Sequence, residues 1–99
     1  LSIRDAVLQM REVDALVDFG RALERWAFSL GFSEHSPVEA VFDDLAPQSV
    51  PSDRGPVTIR EAVQAMLLVP ALEQLGATID RWTYRFGVDQ MSRYADRSW

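Results

Sequence analysis

The chain has no cysteine, no lysine and a single histidine. Without cysteine there can be no disulfide, no thiolate metal site and no thiol catalysis. Every basic residue is one of ten arginines, a usage that points to a GC-rich genome. No apolar run approaches the roughly 18 residues needed to span a bilayer, and the N-terminus carries no signal-peptide pattern. Neither a membrane span nor secretion is expected, and the expected location is cytoplasmic.

Positive charge is also scarce where a nucleic acid would need it. The net charge is −5, with nine carboxylates against four arginines in residues 1–50 and six of each in residues 51–99. Phosphate binding requires a concentrated positive field, so DNA and RNA are disfavoured as partners. No glycine-flanked serine, phosphate-cradling loop or dinucleotide fingerprint occurs.

What is present is one stretch occurring twice. Leu16–Gly31 returns as Leu72–Gly87, 56 positions on and without a gap. Leu16, Phe19, Leu23, Trp26 and Leu30 recur as Leu72, Leu75, Ile79, Trp82 and Phe86, spaced 3, 4, 3 and 4 apart. That spacing predicts an α-helix with one apolar side. Upstream, Ser2 with Asp5 and Thr58 with Glu61 are N-cap pairs. Each opens a short helix with a stripe: Ile3, Ala6, Val7, Met10 and Ile59, Ala62, Val63, Met66. Between residues 2–33 and 58–89, 12 of 32 aligned positions are identical, which marks an internal duplication.

Pro70 should end the second short helix near Leu67 and start the next, because proline suits a first helical position and not an interior one. The matching joint near Val13–Asp14 has no proline, so residues 3–30 could form one kinked helix or two. Gly31 and Gly87 supply helix-ending left-handed caps. Ser36-Pro37-Val38-Glu39 predicts a third helix, with Val38, Val41, Phe42 and Leu45 on its apolar face. The second copy has a matching start at Asp89, with Met91, Tyr94, Ala95 and Trp99.

The expected fold is therefore all-α: a duplicated short-long-short three-helix unit forming a pseudo-two-fold six-helix bundle. A short solenoid stack is the alternative. Residues 1–99 form a single domain, with repeat one at 1–45, a linker at 46–57 and repeat two at 58–99. Leu16, Leu23, Trp26, Ile79 and Trp82 are expected in the core. The two long helices are expected to pack on each other, with Gly20 and Gly76 allowing close approach.

Candidate chemistry is thin. His35 is a lone loop histidine without a second nitrogen or sulfur ligand to complete a metal site. Glu39, Asp43 and Asp44 are carboxylates on one short segment, without a loop of alternating oxygen ligands, and read as a solvated helix face. Glu24-Arg25-Trp26 and Asp80-Arg81-Trp82 suggest core tryptophans and local ion pairs, with Arg4 expected near Glu24 and Arg60 near Asp80. No catalytic, cofactor-binding or metal-binding residue is assigned, and an enzyme is not expected.

Phe28 and Tyr84 fall outside the apolar stripe of their helices, so each is covered by the third helix of its unit or exposed for a partner. Aromatic and arginine side chains together are the composition of interface hot spots. Val17, Arg21, Phe28, Tyr84 and Arg85 are the expected protein-interface residues. The function they suggest is docking or dimerisation, with a second copy or another subunit of one assembly as partner and no nucleic acid or membrane. The chain would then be a segment of a larger bacterial multidomain protein. The alternative is a regulatory domain holding an apolar small molecule between the two long helices.

Overall fold

A computed structural model describes residues 1–45 and 57–94, and within them the chain is mostly helical. Five α-helices are present: α1 (Ile3–Arg11), α2 (Val17–Ser29), α3 (Val41–Asp44), α4 (Ile59–Leu67) and α5 (Glu73–Phe86). The segment 46–56, which covers nearly all of the expected linker, lies outside the described residues, as do residues 95–99 with Ala95 and Trp99.

The caps form as the residue types require. The Ser2 hydroxyl accepts from the Asp5 amide, and the Thr58 hydroxyl accepts from the Glu61 amide, both at 3.1 Å. The chain breaks after α1 and α4 alike. Val13 and Val69 are extended, and 3₁₀ turns follow at Asp14–Leu16 and Pro70–Leu72. Pro70 biases its predecessor toward extended backbone. Val13 adopts the same conformation without a proline, because only a break lets the α1 stripe fold back onto α2. Residues 3–29 are thus two helices, and the Ile3, Ala6, Val7 and Met10 side chains are buried.

α2 and α5 end in matching caps. Phe32 N–H donates to Ala27 O and Gly31 N–H to Phe28 O, while Val88 N–H donates to Thr83 O and Gly87 N–H to Tyr84 O. These are the paired bonds of a Schellman motif, with glycine at positive φ in each. The returning loop then supplies acceptors to the helix that opened the unit. Ile3 and Arg4 amides donate to Ser36 O and Glu34 O; Ile59 and Arg60 amides donate to Ser92 O and Gln90 O. Every one of these bonds recurs 56 positions on.

Several expectations are corrected. The described residues hold five helices, not six. Where the second copy was expected to start its third helix at Asp89, the chain makes a turn and then a two-residue strand, β2 (Arg93–Tyr94). That strand pairs antiparallel with β1 (Val57–Thr58), so Val57 belongs to the folded body rather than to a linker. The first-copy third helix is capped at Pro37, not Ser36. It begins as a 3₁₀ turn at Val38–Ala40, because the Ser36 hydroxyl is turned to the Ser33 amide.

The core joins both halves in one cluster that includes Leu16, Phe19, Leu23, Leu72, Leu75, Ile79 and Trp82. Trp26, expected to be buried, is half-buried at its edge, in edge-to-face contact with Phe19. Leu30 and Phe86, the last members of the two stripes, are exposed. The long helices do not pack on each other. α1 packs on α2 and α4 on α5, while the halves meet where α4 covers the Asp14–Leu16 turn, α1 covers the Pro70–Leu72 turn, and α3 lies on α5. Gly20 and Gly76 do serve close approach, but to Met10 and Met66 of the short helices.

Candidate functional site

One concave site is built where α3 crosses α5. Thr78, Arg81, Trp82 and Arg85 are spaced i, i+3, i+4 and i+7, so they share a face of α5. Phe42 and Asp43 of α3 form the opposite wall, and the cavity between them is about 370 Å³. The walls are fixed by burial. Val41, Phe42 and Leu45 are buried, the Trp82 indole N–H donates to Leu45 O at 3.1 Å, and the Phe42 and Trp82 rings meet edge-to-face at 5.6 Å. An apolar α3 face has to cover something, and the broad apolar side of α5 offers the aromatic surface that fits it.

The polar side of the groove is less constrained. Arg81 Nη2 donates to Thr78 Oγ1 at 3.3 Å, and the Arg85 guanidinium stands 5.1 Å from the Phe86 ring centroid. Both arginines are exposed. Among the described residues neither has a carboxylate within ion-pair distance, although Asp43 lines the same groove. Arg4 and Arg60 likewise make no ion pair with Glu24 or Asp80, contrary to expectation. Asp80 accepts from Gln90 Nε2 at 2.8 Å instead, and the same nitrogen reaches Thr83 Oγ1 at 2.7 Å. That network seats the loop after α5 on its own helix.

The expected interface residues are distributed over two helices. Val17, Arg21 and Phe28 lie along one side of α2; Val17 is half-buried, Arg21 exposed and Phe28 48% exposed. Tyr84 is 77% exposed on α5, so of the two alternatives for these aromatics it is exposure that holds. Arg85 faces the groove with Arg81. The two helices are not packed together, so these five side chains form no single constellation.

His35 is exposed, with its Nε2 at 3.5 Å from Glu34 Oε1. Among the described residues no three His, Asp or Glu side chains come together as a cation site requires, and no helix is long and apolar enough to cross a membrane.

Two features carry little signal in the sequence. The groove needs Phe42 and Asp43 beside residues nearly forty positions away, and its one visible signal was the Thr78, Arg81, Arg85 spacing. Leu67 and Leu68 stand 47% and 85% exposed at the end of α4, where the first copy has Arg11 and Glu12. That exchange of charge for leucine was readable from the repeat. Compared with protein-family models, with curated proteins and with solved structures, the chain finds no significant match.

Proposed function

We propose that this chain is a non-catalytic protein-interaction module, made by duplication of one helical unit and acting as a docking or dimerisation segment of a larger bacterial protein. The observation that carries the reading is the exposure of Phe28 and Tyr84. They occupy positions 56 apart, and each stays at the surface while most of the apolar stripe of its helix is buried. A large aromatic held in water at corresponding places is what a binding surface requires. Duplication is supported by the matched cap, Schellman and loop-to-helix hydrogen bonds. The exposed Leu67–Leu68 pair adds apolar surface.

The test separates folding from binding. Phe28→Ala and Tyr84→Ala should each shift stability by no more than about 0.5 kcal/mol, as surface changes do. Each should weaken self-association in sedimentation equilibrium by about 2 kcal/mol where the side chain is a hot spot. Unchanged association in both variants would remove the surface on which the reading stands.

A further inference from the structure

The α3–α5 groove has a composition that the exposed aromatics do not explain. Its floor and one wall are aromatic, from Trp82 and Phe42, and its rim carries two guanidinium groups one helical turn apart. On a molecule of net charge −5, carboxylates are abundant. Even so, neither Arg81 nor Arg85 pairs with one among the described residues. Arginine presents a planar fork of donors that matches a carboxylate in two-point contact. Two such forks beside the ring edges that the largely buried Phe42 and Trp82 turn to the groove form a receptor for an anionic group attached to an apolar one.

We infer that this groove is the docking site for an acidic segment of a partner protein: an Asp or Glu carboxylate held between Arg81 and Arg85, with an adjacent apolar side chain against Phe42 and Trp82. The inference rests on the protein-interaction reading and names the chemistry of the partner. A peptide is favoured over a small molecule because both guanidinium groups are exposed, so a ligand held there keeps much of its surface in water, whereas small-molecule sites enclose most of their ligand. A passing chain can enter and leave such a groove while inserting one or two side chains. Asp43 sets polarity along it by repelling a second carboxylate at the α3 wall and favouring a neutral or basic residue there.

The experiment uses the whole chain and a set of acetylated, amidated hexapeptides, each carrying Glu beside Phe or Leu, with matched peptides in which Gln replaces Glu. Binding is followed by the Trp82 indole N–H resonance and by calorimetry. Acidic members should bind saturably, should weaken as salt is raised, and should lose roughly tenfold or more in affinity when Glu becomes Gln. Arg81→Gln with Arg85→Gln should produce a similar loss without lowering the unfolding midpoint, since both side chains are exposed. Arg81→Lys with Arg85→Lys should restore part of it, because charge returns without the fork.

Three results would overturn the inference: no acidic peptide binding more tightly than a Kd of about 1 mM, Gln peptides binding as well as Glu peptides, or N-acetylphenylalanine alone matching the best hexapeptide. The last would assign the groove to small carboxylates. Failure here is distinguishable from failure of the broader reading. If the double Gln variant keeps full self-association and no acidic peptide binds, while Phe28→Ala or Tyr84→Ala loses self-association, the groove falls and the interaction module stands.

Discussion

Trp26 and Trp82 stand 56 positions apart in matching Arg-Trp pairs but should be unequal in energy. Trp82 is 4% exposed, holds Leu45 O through its indole N–H, and touches Phe42 and Phe86. Trp82→Ala removes the whole ring from the core, and such truncations cost about 3–5 kcal/mol. Trp82→Phe keeps most of the apolar volume but leaves the buried Leu45 carbonyl without its donor, a loss of about 1–3 kcal/mol. Trp26 sits half-buried at the edge of the core, so Trp26→Ala forfeits roughly half as much apolar burial and should cost about 1.5–2.5 kcal/mol. A domain of this size has roughly 5–15 kcal/mol in all, so the ordering is measurable. Each kcal/mol should lower the melting temperature by about 4–8 °C. Urea denaturation followed by far-ultraviolet circular dichroism is the suitable assay, because the variants would differ from one another in their set of fluorescent tryptophans. Equal costs for Trp26→Ala and Trp82→Ala, or a Trp82→Phe midpoint matching wild type, would refute the idea that α3 is pinned through this indole.

Other outcomes follow from individual contacts. A methyl group added at Gly76 would lie 3.1 Å from Met66 Cβ and 3.4 Å from Val63 O; Gly76→Ala should destabilise by about 1 kcal/mol, the overpacking exceeding the helix-propensity gain, in a urea titration. At Gly20 the tight contact is Met10 Cβ at 3.2 Å, with the flexible Met10 sulfur next, so Gly20→Ala should cost less in the same assay. Thr58→Ala removes a buried cap that also meets Glu61 Oε1 and should cost about 1–2 kcal/mol, more than Ser2→Ala. His35→Ala should change the unfolding midpoint by no more than the equivalent of about 0.5 kcal/mol, since the ring is 75% exposed; loss of association in a folded variant would show that the loop takes part in binding.

Local features were legible in the sequence because they are decided within a few residues. Thr58 with Glu61, Pro70 and Gly87 each announce a cap, a break or an end. The stripes likewise announced which sides of the helices would be buried. What covers each stripe was not legible. A wide apolar face on α2 and α5 is compatible with several neighbours, and the short helices took the place expected of the opposite long one. The identical Arg-Trp pairs hid the same limit: α3 lands on Trp82, and nothing around Trp26 in the sequence distinguishes it. The exposed aromatics were readable as off-stripe positions, whereas the groove depended on which helix α3 would cover.

The loop-to-helix hydrogen bonds also order events as the chain leaves the ribosome. α1 emerges before α2, yet the amides of Ile3 and Arg4 find their acceptors only after Glu34 and Ser36 have followed. By residue 45 the α1–α2 hairpin can close on contacts near in sequence, which form quickly. α3 cannot be completed at that point, because the donor for Leu45 O lies 37 residues further on at Trp82. A chain arrested soon after residue 45 should therefore show protected amides in α1 and α2 and rapid exchange in α3, with Phe42 bare until α5 arrives to meet it.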